Sequence, residues 1–171
     1  MTPPEPSLFA SLDEEAVSLQ EAMEQSGRLL ARRARSEREV RDALDRSSFD
    51  AAIVEMTLAR LADLGLVDDL AFARQWVEER GPGKGLGPRR LLAELRSKGV
   101  DRETARQAVE GVGLDDEARA KEVAAGLVRK VAGRPLGQQA LRLQQMLLAR
   151  GFDLDTTLAA VRTALPPEGW D

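Results

Sequence analysis

The sequence predicts an all-α protein built from tandem three-helix repeats, and three observations support this. Leu, Ala, Arg and Glu dominate the chain, whereas Phe, Trp and Tyr together supply only 4% of it. Apolar residues recur three and four positions apart, as on one face of a helix, and strand-like alternation is missing. One pattern of apolar and capping residues returns after 51 and then 52 residues. We therefore expect nine helices in three groups of three.

The composition excludes several classes of function. The chain has no Cys, His or Tyr, so it lacks thiolates, the commonest general base and the commonest metal ligand. We predict no catalytic, cofactor-binding or metal-binding residues, and an enzyme is the least favoured class. No apolar run approaches the ~20 residues that span a membrane, and no signal peptide is evident, so the expected location is cytoplasmic. The net charge of −4 does not favour attraction of the whole molecule to a polyanion.

The first repeat begins with a predicted helix over residues 13–34. Ser36 and Glu39 then form a capping box, in which a hydroxyl and a carboxylate satisfy free amides at the start of a second helix. Asp50 is suited to cap a third helix, which Gly65 ends.

The second repeat contains the most distinctive punctuation. Asp68 opens its first helix, and the glycine-rich joint of residues 81–87 is expected to break that helix. Pro88 fits the first turn of the next helix, which stops at Gly99. Asp101 then caps the third helix of this repeat.

The third repeat follows the same order. Its helices are predicted over residues 115–133, 136–150 and 153–165. Pro166 and Pro167 prevent the last helix from continuing. The expected divisions of the chain are a flexible N-terminal tail, three repeats and a C-terminal tail: residues 1–12, 13–66, 67–113, 114–166 and 167–171.

The repeat is anchored on Phe49, Val100 and Phe152, each preceded by a small residue and followed by Asp. Apolar residues stand nine and five positions before each anchor and nine and twelve positions after it: Val40, Leu44, Leu58, Leu61, Leu91, Leu95, Val109, Val112, Leu143, Leu147, Val161 and Ala164. Any amphipathic helices can be aligned to some extent, but the register of the aspartate and the small residue favours a true repeat. Units of this size need their neighbours for stability. We predict an elongated, curved array, with one nine-helix globule as the alternative.

The stretch over residues 66–100 carries a family likeness, and part of it returns near the end of the chain. Its components are Leu66-Val67-Asp68-Asp69, Phe72-Ala73, Trp76-Val77, Arg80, Gly87-Pro88-Arg89-Arg90-Leu91, Glu94-Leu95, Lys98-Gly99-Val100 and Ala149-Arg150-Gly151-Phe152. These residues resemble the RecX family, bacterial regulators of the RecA recombinase, over about residues 33–165. The glycine-rich joint and the extension before Arg33 depart from the family pattern and leave the orientation of the first repeat open.

The resemblance implies a fold and an activity. RecX-like proteins consist of tandem three-helix repeats and act without a cofactor. They bind the RecA–DNA filament along its groove and inhibit strand exchange, ATP hydrolysis and co-protease activity. The expected partner is thus the RecA filament, with weak DNA contact possible and no membrane or small-molecule substrate.

Charged residues of the second repeat are the candidates for partner binding: Asp69, Arg74, Arg80, Lys84, Arg89 and Arg90. A solvated helix face is the alternative interpretation of the cations, and Asp68 is expected to act as a helix cap. Auxiliary contact with nucleic acid is expected at Arg32, Arg33 and Arg35.

The aromatic residues and the glycine-rich joint have structural interpretations. Phe72 and Trp76 lie four apart and are expected in the core, whereas Trp170 is expected to be exposed or loosely docked. Residues 81–87 lack the GxxxxGK[ST] order and follow no strand, so a hinge is favoured over a phosphate loop. Two further functions stay open: a helix-turn-helix DNA-binding protein and a generic α-solenoid adaptor.

Overall fold

The computed structural model describes residues 8–165, with side chains from residue 13 onward. This part of the chain contains nine helices and no strand, which confirms the all-α prediction. None of these helices is long and apolar enough to cross a membrane. The helices are α1 (Leu8–Leu30), α2 (Glu37–Arg46), α3 (Ala51–Asp63), α4 (Asp69–Lys84), α5 (Pro88–Ser97), α6 (Arg102–Val112), α7 (Asp116–Val131), α8 (Leu136–Ala149) and α9 (Leu154–Ala164).

The described residues divide into two compact units. The first unit contains the chain through Phe72 together with Lys98–Val100. The second unit contains Ala73–Ser97 and the chain from Asp101 onward. The prediction for Trp170 concerns a residue outside the described range.

Most of the predicted caps are present, but two helix boundaries differ. Ser36 Oγ accepts from Glu39 N, and Asp68 accepts from two amides at the start of α4. Asp50 occupies the cap position of α3 without a side-chain hydrogen bond. α1 begins five residues before the predicted start at Asp13, so residues 8–12 are helical rather than part of a flexible tail.

α4 ends within the glycine-rich joint of residues 81–87, as predicted, but it continues past Gly81 and Pro82 to Lys84. Pro82 is exposed, so water can satisfy the carbonyl that loses its helical partner. Gly81 is buried, and a Cβ there would overlap the side chain of Leu114. The helix ends where Gly85 adopts a φ of 61°, the left-handed conformation that favours glycine. The joint is therefore a closely packed segment as well as a turn.

The burial of side chains along the helices follows the repeat pattern. All six apolar residues at nine and five positions before the anchors are buried, from Val40 to Leu147. Six small or β-branched residues at five and eight positions after the anchors are also buried: Val54, Thr57, Ala105, Ala108, Thr157 and Ala160. Of the six residues predicted nine and twelve positions after the anchors, Leu58, Leu61 and Val161 are buried, whereas Val109, Val112 and Ala164 are only partly buried. The small residues let the third helix of each repeat lie close to its neighbours.

In each repeat, the turn between the second and third helices forms an elbow. Two equivalent contacts join the start of one repeat's second helix to the elbow of the next repeat. Ser36 Oγ donates to the carbonyl of Lys98 at 2.6 Å, and the amide of Gly87 donates to the carbonyl of Arg150 at 2.8 Å. Ser36 and Gly87 are both 13 positions before their anchors, and both carbonyls are two positions before theirs. Carbonyls at the end of a helix have no partner within it. These contacts therefore satisfy the last turns of α5 and α8.

A glycine makes each contact possible. Gly99 and Gly151 have φ values of 84° and 93°. A Cβ on Gly99 would overlap the side chain of Arg38, and one on Gly151 would overlap the amide nitrogen of Arg90. The corresponding residue of the first repeat, Ser48, is exposed with a φ of 63° and tolerates a side chain.

We predict that G151A lowers the free energy of unfolding by about 2 to 4 kcal/mol. The new Cβ meets backbone atoms, and relief would break the hydrogen bond from the Arg89 amide to the Gly151 carbonyl. G99A should cost less, because the Arg38 side chain can move. S48G is the matched control and should change the free energy by less than about 1 kcal/mol. Urea unfolding measures all three, and equal effects of G151A and S48G would contradict the role of the elbow.

The contact between Ser36 and the elbow at Lys98 is also held by an ion-pair cluster around Glu39. Arg33 Nη2 lies 2.9 Å and Lys98 Nζ lies 2.8 Å from Glu39 Oε1. Burial raises the pKa of Glu39, but hydrogen bonds and positive charges from these two residues outweigh it and lower the pKa to about 2. The ionised carboxylate therefore stabilises the folded state.

The depressed pKa of Glu39 predicts a defined pH dependence. Its stabilisation should be complete above its ordinary pKa of 4.5 and should disappear as the pH falls towards 2. E39Q should cost about 2 kcal/mol at pH 7, and the difference from the unaltered protein should vanish near pH 2. E78Q, which removes an exposed carboxylate, controls for net charge. A difference between E39Q and the unaltered protein that is constant from pH 7 to pH 2 would refute this role.

Candidate functional site

The carboxylate of Glu94 brings together an aromatic residue and two arginines from α4 and α5. Trp76 Nε1 donates to Glu94 Oε2 at 3.1 Å, and the guanidinium carbon of Arg80 lies 4.0 Å from the centre of the Trp76 ring. Arg80 Nη1 is 3.5 Å from Glu94 Oε2, and Arg90 Nε is 3.6 Å from Glu94 Oε1. Glu94 compensates one of the two positive charges and fixes the geometry of all three partners.

The sequence places these side chains at one helix spacing. Trp76, Arg80 and Lys84 are successive residues four apart on α4, so they share one face. Arg90 and Glu94 have the same spacing on α5. Cation–π contact with Arg80 and the hydrogen bond to Glu94 hold the half-buried Trp76 in place.

Three further cations lie on the same two helices. Lys84, Arg89 and Arg96 are exposed, and none forms an ion pair with a described residue. Arg89 and Arg96 lie seven positions apart and share a face of α5, which is about 140 to 200° around that helix from Glu94. We call Trp76, Arg80, Lys84, Arg89, Arg90, Glu94 and Arg96 the α4–α5 basic surface. Residues 69–97 hold six cations and four carboxylates, so this stretch is positive within a chain of net charge −4.

Two of the predicted partner-binding residues lie apart from this surface. Arg74 is two residues from Trp76, which places it about 200° around α4. Asp69 Oδ1 accepts from the amide of Glu37 at 2.8 Å, at the start of α2. The structure thus gives Asp69 a helix-capping contact, whereas the other four predicted residues belong to the basic surface.

The predicted auxiliary cations have different environments. Arg32 is exposed, but Arg33 is paired with Glu39 in the same ion-pair cluster as Lys98. Arg35 is half-buried, and its Nε has no hydrogen-bond partner among the described residues. Only Arg32 has a side chain that is both exposed and outside any ion pair with a described residue.

Sequence reasoning missed three members of the basic surface. The assignment to the core is correct for Phe72, which is buried, but wrong for Trp76, which is half-buried. Glu94 was part of the family resemblance but, like Arg96, was not predicted to have a functional role. Two spacings in the sequence could have identified them: Arg96 lies seven residues after Arg89, and Glu94 lies four residues after Arg90.

The composition of the basic surface is suited to binding. Trp and Arg, which meet here where Arg80 lies over the Trp76 ring, are among the residues that dominate the energy of protein interfaces. The planar guanidinium groups can bind carboxylates or phosphates in a bidentate manner. Carboxylates of an acidic partner could replace Glu94 as the ion-pair partner of Arg80 or Arg90.

The chain is similar to known proteins over most of its length. Residues 22–61 match the model of the first three-helix domain of RecX, and residues 68–109 match the model of its second three-helix domain. The second match includes the whole α4–α5 basic surface. The regulatory protein RecX of Thermobifida fusca is 38% identical over 143 residues, which are 83% of this chain and 77% of the relative. That of Amycolatopsis mediterranei is 45% identical over 126 residues, or 71% and 70% of the two chains.

Solved structures show the same fold. The crystal structure of RecX from Lactobacillus salivarius is similar with a TM-score of 0.80 at 20% identity, covering 87% of this chain and 97% of that one. A second crystal structure of a regulatory protein RecX has a TM-score of 0.79 at 23% identity, covering 91% and 78%. These two likenesses concern the fold, whereas the sequence relatives cover most of both chains at higher identity. The chain belongs to the RecX family of regulatory proteins.

Proposed function

We propose that this protein binds the RecA filament on DNA and inhibits strand exchange, ATP hydrolysis and co-protease activity. It would act without catalysis of its own, in the cytoplasm and without a cofactor. The observation that carries the proposal is the α4–α5 basic surface, which lies inside the region matched by the second RecX domain. Family membership supports a regulatory role, and the surface supplies chemistry for contact with an acidic protein.

The surface favours a protein partner because its aromatic residue and its charges are held together. Trp76 supplies apolar area, while Arg80 and Arg90 are already positioned by Glu94. Side chains that are fixed before binding lose less conformational entropy when the complex forms. The exposed Lys84, Arg89 and Arg96 add positive charge on the same two helices, which accelerates association with an acidic surface.

The helix-turn-helix alternative is less well supported by the distribution of charge. The third helix of such a unit would enter the major groove and needs cations to meet the phosphates. α3 carries Arg60 as its single cation, and α9 carries Arg162. On α6, Arg106 is paired with both Glu103 and Glu110, which leaves Arg102 as the exposed cation that forms no ion pair with a described residue. A generic adaptor is distinguished from the proposed regulator by the partner that it binds.

We predict that K84E/R89E/R96E weakens binding to RecA filaments at least about tenfold, or ~1.4 kcal/mol. The triple variant reverses exposed charges that form no ion pair with a described residue, so the fold should be retained. The concentration needed to inhibit RecA-dependent ATP hydrolysis on single-stranded DNA should rise in parallel. Co-sedimentation with filaments and the ATPase assay measure the two effects.

The matched control is R74E/R102E/R162E, which makes the same change in charge at exposed arginines outside the basic surface. It should inhibit as the unaltered protein does. If both triple variants lose inhibition equally, the location of the surface is wrong. If the unaltered protein does not bind filaments but binds naked DNA with a steep salt dependence, the DNA-binding alternative is correct.

A further inference from the structure

The turn between α7 and α8, inside the second compact unit, carries a second concentration of positive charge. Residues 123–152 contain five cations and no carboxylate, although the whole chain has a net charge of −4. Four of these cations are exposed and form no ion pair with a described residue: Arg129, Lys130, Arg134 and Arg142. We call these four residues the α7–α8 basic tip.

The nearest carboxylates along the chain lie away from this turn. Glu122 stands seven residues before Arg129, which is about 10 Å along α7. Asp153 follows α8, whose 14 residues span about 21 Å, and its carboxylate accepts from the amide of Thr156. Ion pairs within a helix form between residues three or four apart. No carboxylate stands at these distances from any cation of the tip, so its charge is not neutralised within α7 or α8.

Helix stability explains only part of this arrangement. Arg129 and Lys130 lie in the last turn of α7, where positive charge is favourable. Arg134 instead stands just before α8, at a helix start that favours negative charge. The first turn of α8 has no acidic residue, and Pro135 supplies no side-chain cap. Gln139 Nε2 donates to the Arg134 carbonyl at 2.7 Å and so holds the backbone that carries this unfavourably placed cation.

The polar side chains near the tip are those that contact the backbone of a nucleic acid. Phosphate contacts of DNA-binding proteins come from Arg and Lys and from uncharged polar side chains such as Gln. Gln138, Arg142 and Gln145 lie three and four residues apart on the outer face of α8, and all three are exposed. The tip can therefore offer a row of hydrogen-bond donors together with its four charges.

Other polyanionic partners fit this part of the molecule less well. Protein interfaces centre on aromatic anchors, and proteins that bind single strands stack bases on exposed aromatic rings. The one aromatic residue among residues 123–152 is Phe152, which is buried. The exposed Leu141 and Leu148 lie about 100 to 120° around α8 from Arg142. Phosphates of a duplex need neither an aromatic nor an apolar contact.

We propose that the α7–α8 basic tip binds the phosphate backbone of duplex DNA. Each of the four cations meets one phosphate, and the exposed glutamines beside Arg142 donate further hydrogen bonds. The inference does not depend on the proposed function, because it concerns DNA in the absence of RecA. It also places the contact away from Arg32, Arg33 and Arg35, where the sequence predicted auxiliary contact with nucleic acid.

Fluorescence anisotropy of a labelled DNA duplex tests the proposal on the full-length protein. Each phosphate contact contributes about −0.9 to the slope of log K against the logarithm of the salt concentration, so four contacts give about −3.6. R129Q/K130Q/R134Q/R142Q should weaken binding at low salt at least about tenfold, with an unchanged circular dichroism spectrum. R134Q/R142Q should remove about half of the slope.

The matched control is R60Q/R74Q/R102Q/R162Q, which removes the same charge at exposed cations on α3, α4, α6 and α9. It should bind the duplex as the unaltered protein does, with the same slope. Equal losses in the two quadruple variants would overturn the proposal, as would a loss in K84Q/R89Q/R96Q that the tip variant does not show.

Three results with the unaltered protein would also overturn it. The first is the absence of salt-sensitive binding to the duplex. The second is tighter binding to a single strand of the same length, which would assign the contact to unpaired DNA. The third is displacement of the duplex by polyglutamate at an equal concentration of charge, which would assign the tip to an acidic protein.

Discussion

The contact between a helix start and the next elbow is the constraint on which much of the structure depends. A carbonyl at the end of α5 or α8 must find a donor outside its own helix. Ser36 and Gly87 supply those donors, and Gly99 and Gly151 allow the chains to approach closely enough. The second contact fixes the beginning of α5, and with it the direction in which Arg89 and Arg90 leave the backbone. This contact thus positions part of the α4–α5 basic surface.

Glu94 organises the centre of the α4–α5 basic surface. It lowers the net charge of the cluster, yet it holds Trp76, Arg80 and Arg90 in one arrangement. Partly exposed ion pairs of this kind contribute little to folding, so their main effect is to order these three side chains. The exposed cations around them explain how an acidic protein can present a positive face. The net charge of −4 for the whole chain does not reveal this positive region.

The sequence predicts the repeated core well and the surface less well. Leu and Val at helical spacing identify buried faces, because burial of large apolar groups dominates folding. Ala108 and Thr157 were missed, since their small or polar side chains carry no strong apolar signal although close helix contact needs them. Trp76 was placed in the core by its spacing, but only the position of Glu94 on another helix reveals its hydrogen bond. The glycine-rich joint ends α4 as predicted, but its first glycine is still helical and closely packed, because a Cβ on Gly81 would overlap Leu114.

The central functional claim is that the α4–α5 basic surface contacts the RecA filament. Hydrogen–deuterium exchange of this protein, measured with and without filaments on single-stranded DNA, tests it most directly. The account predicts slower exchange in peptides that cover residues 80–97 when filaments are added, and unchanged exchange in α9. Unchanged exchange across residues 80–97, with slowing confined to α3, α6 or α9, would contradict it.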